Sequence, residues 1–283
     1  MPTTDTTQPQ INERILTHES KPGGFAWGTF SRRAYLDLIR TLVAAQIKVR
    51  YNYTFVGLGW AFLNPVLQML VYAFVFGSIF SSDRANFRLF LLAGLLPWQA
   101  FSTGLTTSVH SLIADRDLLK KAPFPSEALP VAAAASALVN FLIVFAVYLV
   151  YLGVRGFPVL SNLHWIGVAL IIETLFLTGL ALFLSPLNVY FRDIEQVMGF
   201  LVWIWFFLTP IFYPLSRLDP FQAKVLLALN PMAVVVTTIQ NALLRGQAPP
   251  LDPLISASVI AVLAAVVGWF TFRRFQYELP KAL

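Results

Sequence analysis

Cysteine is absent from the 283 residues, which excludes disulfides, thiolate metal sites and cysteine nucleophiles. Histidine is nearly so: His18, His110 and His164 lie far apart and share no metal-ligand spacing. Charge is scarce as well. Asp, Glu, Lys and Arg make up 12% of the chain and 57% of it is hydrophobic, whereas a soluble domain is about a quarter charged. A soluble globular protein is thereby excluded. Also missing are a G-x-x-x-x-G-K-S/T phosphate loop, a G-x-S-x-G elbow and an H-E-x-x-H pair. The chain is therefore expected neither to hydrolyse ATP by itself nor to hold a catalytic metal. A net charge of +6 would suit a polyanion in a soluble protein. Here the charges fall in short intervals between long uncharged stretches and read as topology signals, so no nucleic-acid partner is expected.

A helix crossing a bilayer core needs about 20 mostly apolar residues, because no water is there to satisfy backbone N–H and C=O groups. Uncharged intervals of that length run from Arg50 to Asp83, Arg88 to Asp115, Glu127 to Arg155, Glu195 to Arg217 and Asp252 to Arg273. With a further stretch that carries one acid, Glu173, they predict spans at about 58–80, 89–111, 129–152, 165–187, 196–215 and 253–272. The interval from Lys224 to Arg245 offers a seventh. Asn230-Pro231 interrupts it, and Thr237, Thr238, Gln240 and Asn241 follow, so it reads as two short helices joined at the proline, a re-entrant or interfacial hairpin. Charge supports six spans. With both termini in the cytoplasm, fourteen of the 20 basic residues fall on the cytoplasmic side, against twelve in a seven-span chain.

The expected organisation is a disordered cytoplasmic start over 1–30, an amphipathic helix over 31–50, a six-span domain over 51–275 and a cytoplasmic tail over 276–283. Residues 1–30 contain no continuous apolar run of the kind a secretory signal uses. Between Arg32 and Arg50, Tyr35, Leu36, Ile39, Leu42, Val43 and Ile47 share one helical face, with Arg33, Asp37, Arg40 and Lys48 on the other. That pattern predicts a helix lying at the membrane surface.

The connection from Asp115 to Glu127 has acids early, Lys120 and Lys121 late, and a Pro-Phe-Pro stop around Phe124. It predicts a short helix with charges matched to its dipole. Leu118, Leu119 and Phe124 are apolar groups on that projection, which a partner would cover. Asp115-Arg116-Asp117 also has the spacing some glycosyltransferases use to hold a metal and a nucleotide sugar, although the loop leaves no room for a nucleotide-binding fold.

Four stretches carry a resemblance. Lys48-Val-Arg-Tyr-Asn-Tyr-Thr-Phe-Val-Gly-Leu-Gly-Trp60 leads into Leu63-Asn64-Pro65, and Lys120-Lys-Ala-Pro-Phe-Pro-Ser-Glu127 follows. Then come Asn188-Val-Tyr-Phe-Arg-Asp-Ile194 and Thr209-Pro-Ile-Phe-Tyr-Pro214, the last with Leu229-Asn-Pro231 behind it. In this order they resemble the type 2 ABC exporter permeases of the polysaccharide class, the membrane subunits for O-antigen, capsule and teichoic acid export, over about residues 32–275.

The resemblance implies an all-α integral membrane protein of the bacterial inner membrane, with extracellular gate helices within residues 217–248. It implies a coupling helix at Asp115, Arg116, Asp117, Leu118, Leu119, Lys120, Lys121 and Phe124, and a second cytoplasmic contact at Arg192 and Asp193. Read from the residues alone, Arg192 and Asp193 form either a structural ion pair or that contact. Two permeases and two ATP-binding subunits would form the exporter of a lipid-linked polysaccharide, with ATP and Mg bound by the partner and no cofactor here. A drug or lipid cargo on the same fold is the alternative.

A glycan in transit needs weak, repeated contacts, and aromatic faces supply them. Candidates are Trp60, Phe62, Tyr72, Phe74 and Phe76 of the first span and Trp203, Trp205, Phe206, Phe207, Phe212 and Tyr213 of the fifth. Individually these residue types also suit lipid contact or an interfacial belt. Glu173, the one acid within a predicted span, either serves a function there, or reaches the outer interface or is satisfied by a neighbouring helix.

Overall fold

The computed structural model describes residues 32–52, 59–80, 84–121, 125–191 and 193–279, and the regular structure among them is helical without a strand. The expected disordered start at 1–30 lies outside them, as do Phe124 and Arg192. Ten α-helices follow in order: α1 (Arg32–Asn52), α2 (Gly59–Phe80), α3 (Arg84–Ala114), α4 (Arg116–Lys121), α5 (Ala128–Val154), α6 (Leu163–Tyr190), α7 (Asp193–Phe207), α8 (Pro220–Leu229), α9 (Pro231–Leu244) and α10 (Leu251–Phe275). α2, α3, α5, α6 and α10 are long and apolar enough to cross a membrane, and α8 with α9 passes the same test as one pair bent by 109°.

The fifth predicted span takes a different form. Its helix α7 stops at Phe207, and its 15 residues span about 22 Å at 1.5 Å per residue, short of a core of about 30 Å. Pro210 and Pro214 are the reason: a proline gives no N–H and its ring clashes with the preceding turn. The chain runs on irregularly through 208–214. Phe212 then stacks at 4.7 Å on Phe76 in the last turn of α2, and Pro214 borders a cavity with Asn86, Phe157 and Leu244. The irregular stretch thus finishes what the helix begins.

That cavity marks one end of the bundle, the far end. The other is a basic end, where Glu127 lies within electrostatic reach of Tyr35 of α1 and of Arg273 of α10 and His110 of α3 meets Glu195 of α7. α1 packs on α5 there and sets Leu42 against a small core of Leu112, Leu129, Leu182, Val189 and Phe272. Leu36, on its apolar face, is exposed, as a residue that faces lipid from a surface helix would be.

At the centre stands α6, packed on α10, α3 and α9. It meets α10 most closely, through Gly179 against the backbone of Ala264 and Ala265 and through Gly268 against Gly179. Small residues permit such approach, which supplies the dispersion energy that holds helices together where lipid removes the hydrophobic drive. In α9 every residue from Pro231 to Gln240 is buried. A helix buried on all sides has no polar stripe, which is why its sequence imitates a span. α5 and α9 both end on a glycine at positive φ, Gly156 and Gly246, where the chain must leave the helix in the left-handed conformation.

Candidate functional site

The basic end carries the expected coupling residues. α4 is a six-residue helix with Asp117 in its first turn, started by Leu118 and Leu119 N–H groups donating to the Asp115 carbonyl at 3.0 and 3.2 Å. Leu118 is 40% exposed, whereas Leu119 packs against the small core beneath α1. Of the two leucines, only Leu118 is left for a partner. Arg116, Asp117 and Lys120 are exposed, Asp115 is half-buried, and Lys121 closes the helix. Burial raises the Asp115 carboxyl above its ordinary pKa and neighbouring His110 pulls it back. Asp193 is exposed in the first turn of α7. His110 Nδ1 and Glu195 Oε2 lie 2.9 Å apart, both about half exposed, and tie the end of α3 to the start of α7. Such a pair contributes at most about 1 kcal/mol, so it sets geometry more than stability. Among the described residues no group of three His, Asp or Glu could hold a metal.

Glu127 is a residue the motif contains but whose role its sequence does not disclose. It precedes α5, is 1% exposed, and its carboxylate oxygens make no hydrogen bond to another described residue. Burial pushes its pKa up to about 7, with Arg273 drawing it partly back, and the same surroundings push the Tyr35 phenol up to about 12. A carboxyl whose pKa is raised from 4.5 to about 7 holds its proton more tightly folded than unfolded. Its contribution is therefore complete below pH 4.5 and is lost as pH climbs through about 7. We expect the chain in detergent to lose about 2–3 kcal/mol of stability over that interval, and Glu127→Gln to flatten the profile. Melting temperatures at stepped pH check this; a flat wild-type profile contradicts it.

The aromatic residues divide by burial. Phe206 and Phe212 are core residues, in ring contact with Tyr72 at 5.4 Å and Phe76 at 4.7 Å respectively. Trp205 is half-buried, edge-on to Phe101 at 5.3 Å, and Phe62 and Tyr213 are half-buried as well. Trp60, Phe74, Trp203 and Phe207 remain exposed, Phe74 at 87%. Rings of α2, α7 and the stretch after α7 thus join into one layer, with Trp60, Phe74, Trp203 and Phe207 among the expected aromatics left outward.

Behind that layer is a set of buried amides that the hydropathy pattern hides. Asn230, at the α8–α9 bend, accepts from Trp205 Nε1 at 2.9 Å and donates to the carbonyl of Leu208 at 3.2 Å. Gln240 donates to the carbonyls of Ile211 at 3.3 Å and Phe90 at 3.2 Å. The two amides thus satisfy the Leu208 and Ile211 carbonyls of the irregular stretch and tie it, through Phe90, to α3. Irregular backbone at membrane depth is tolerated only where protein replaces the missing hydrogen bonds. Gln99 of α3 donates to Gln68 of α2 at 2.8 Å, the polar link behind the aromatic layer. The signal in the sequence was the Asn-Pro step itself, an N-cap followed by proline at the first helical position.

Glu173 is fully buried, so its side chain is not exposed as one reaching the outer interface would be. It lies on the α6 face of Phe176 and Leu177, which meets Phe101 and Gly104 of α3. Neither carboxylate oxygen makes a hydrogen bond to another described residue.

Comparison with known proteins bears on these features together. The chain is 34% identical, over 86% of its length and 95% of the relative's, to an O-antigen export system permease protein, RfbA, of Myxococcus xanthus. It is 29% identical to a Klebsiella pneumoniae protein of the same name over 87% and 95% of the two lengths. With the polysialic acid transport protein KpsM of Escherichia coli it shares 26% identity over 74% of this chain and 81% of that one. Residues 37–244 match the model of the ABC-2 type transporter family, a stretch that takes in most of α1, the short α4, the broken α7 and the whole of the bent α8–α9 pair. This multi-pass helical membrane protein therefore belongs to the ABC-2 type transporter family.

Proposed function

We propose that the chain is the transmembrane subunit of an ATP-driven exporter that moves a lipid-linked polysaccharide of the O-antigen, capsule or teichoic acid type across the bacterial inner membrane. The observation that carries this reading is the 34% identity to an O-antigen export permease along nearly all of that relative. Two copies form the channel and two ATP-binding subunits dock on the basic end, which faces the cytoplasm with both termini. ATP and Mg belong to those subunits. Exposed Leu118 on α4 and the acids Asp117 and Asp193 are suited to receive the partner, while half-buried Leu119 passes movement of α4 to the core under α1. The outward rings of Trp60, Phe74, Trp203 and Phe207 face the channel and stack on sugar C–H faces. The α8–α9 pair closes the far end as a gate.

The test is purification alone and after co-expression with a phosphate-loop ATPase encoded beside it. We expect the chain alone to be silent and a stoichiometric ATPase to copurify with activity. Leu118→Asp is expected to lower polymer export by at least about tenfold with insertion intact, since a charge replaces an apolar contact at the interface core. Export unchanged in that variant removes the coupling assignment. Binding of a nucleotide sugar with a divalent metal by the chain alone returns Asp115-Arg116-Asp117 to a catalytic role.

A further inference from the structure

α2 and α5 barely touch, and a cleft opens between them with α3 as its floor. The volume is about 490 Å³, within the range of small-molecule sites. Its walls are apolar, with Met69, Leu92 and Val147 among them, and its far-end rim carries Arg88, Tyr151 and Arg155. Arg88 stands in the second turn of α3 and Arg155 at the C-cap of α5, so the two guanidinium groups border one opening. Both are exposed, and among the described residues neither has an ion-pair partner. Val147, Val150 and Tyr151 on the α5 side, and Val66 and Leu70 on the α2 side, are exposed as well. The cleft therefore opens sideways, out of the bundle.

From this geometry we propose that the cleft is a binding site for a phosphate-bearing membrane lipid, with an acyl chain between α2 and α5 and its phosphate held by Arg88 and Arg155. Charge complementarity selects the occupant. Two arginines at the rim of an apolar slot match a ligand that is anionic at one end and hydrocarbon at the other, and guanidinium–phosphate hydrogen bonds are charge-assisted and directional. Neither end of such a ligand alone satisfies both parts of the cleft. The lipid fills the space that α2, the least buried of the long apolar helices, leaves beside α5, and so holds α2 against α3. This site is distinct from the aromatic layer on the α7 side of α2 and does not depend on which cargo is exported.

Native mass spectrometry of the full-length chain in detergent, with dioleoyl phosphatidylglycerol as the probe, tests the proposal. One lipid per chain is expected to survive. Arg88→Gln with Arg155→Gln is expected to weaken retention at least about tenfold, the loss of about 1.4 kcal/mol. Val147→Trp, which fills the slot from an exposed position and leaves the arginines in place, is expected to displace the lipid too. Unchanged retention in either variant overturns the site. Competition by glycerol phosphate as strong as by the lipid overturns the acyl-chain part and leaves a simple anion site. Displacement by a polyprenyl phosphate at lower concentration than the phospholipid overturns the resident lipid and gives the cleft to the cargo's anchor.

Discussion

Asn230→Leu is expected to destabilise the folded chain by about 3 kcal/mol, the larger of the polar effects in this molecule. The side chain uses its whole hydrogen-bonding capacity of two acceptor and two donor sites. Oδ1 accepts from Trp205 Nε1 at 2.9 Å and from the Ala233 N–H at 3.2 Å. Nδ2 donates to the carbonyl of Leu208 and to Thr209 Oγ1, each at 3.2 Å. Leucine has nearly the same volume and makes none of these. It removes the cap of α9, worth about 1 kcal/mol, and strands the indole N–H and a free carbonyl where water does not enter. Interhelical hydrogen bonds in membranes average only about 0.6 kcal/mol each, with a maximum near 1.7, so the sum stays near 3. Thr209→Val supplies the comparison: it deletes the acceptor for Asn230 and the Thr209 hydroxyl's own bond to the Trp205 carbonyl at 2.9 Å, and is expected to cost about 1 kcal/mol. Thermal melting of both variants in one detergent checks this. Equal losses in the two would mean that proline geometry alone sets the joint.

The place of Asn230 explains what was legible in the sequence and what was not. Uncharged intervals disclosed the apolar helices because bilayer thickness imposes a length on them. The Asn-Pro step disclosed the α8–α9 bend for a local reason, proline's missing N–H. The end of α7 was not legible. Hydropathy counts Thr209-Pro-Ile-Phe-Tyr-Pro214 as a continuation of the span, and only the amides of Asn230 and Gln240, from a segment 20 and more residues away, show that the backbone there has left the helix. The aromatic residues illustrate a second limit. Phe206 and Phe207 are neighbours of one type, yet the first is core and the second is 41% exposed. Composition cannot separate them, because two residues of one type carry the same hydropathy whichever way their side chains turn. Glu127 and Glu173 illustrate a third: charge marks a position as costly to bury, and only packing shows which acids are buried. For the basic end, the short α4 followed from its dipole-matched charges, while the different surroundings of exposed Leu118 and packed Leu119 needed the core under α1.

The second large effect is steric and belongs to the α6–α10 crossing. A Cβ on Gly179 would stand 2.5 Å from the carbonyl carbon of Ala264 and from the nitrogen of Ala265, and one on Gly268 would overlap the Gly179 carbonyl. The obstacles are backbone atoms, which cannot rotate away as a side chain can, so the helices must separate. Gly179→Ala and Gly268→Ala are each expected to destabilise by about 2–4 kcal/mol, at the upper end for overpacking. The same separation relieves both clashes, so the double variant should cost clearly less than the sum of the singles, a coupling of about 1–2 kcal/mol. Gly167 lies in the same helix with nothing within 4 Å of its added Cβ, and Gly167→Ala should stabilise by up to about 1 kcal/mol through helix propensity. Unfolding measurements on the four variants in one detergent decide the matter. Additive losses would place the two glycines in independent contacts. A Gly179→Ala loss no larger than the effect at Gly167 would mean that the crossing has slack, and that close backbone approach is not what holds α10 to the bundle.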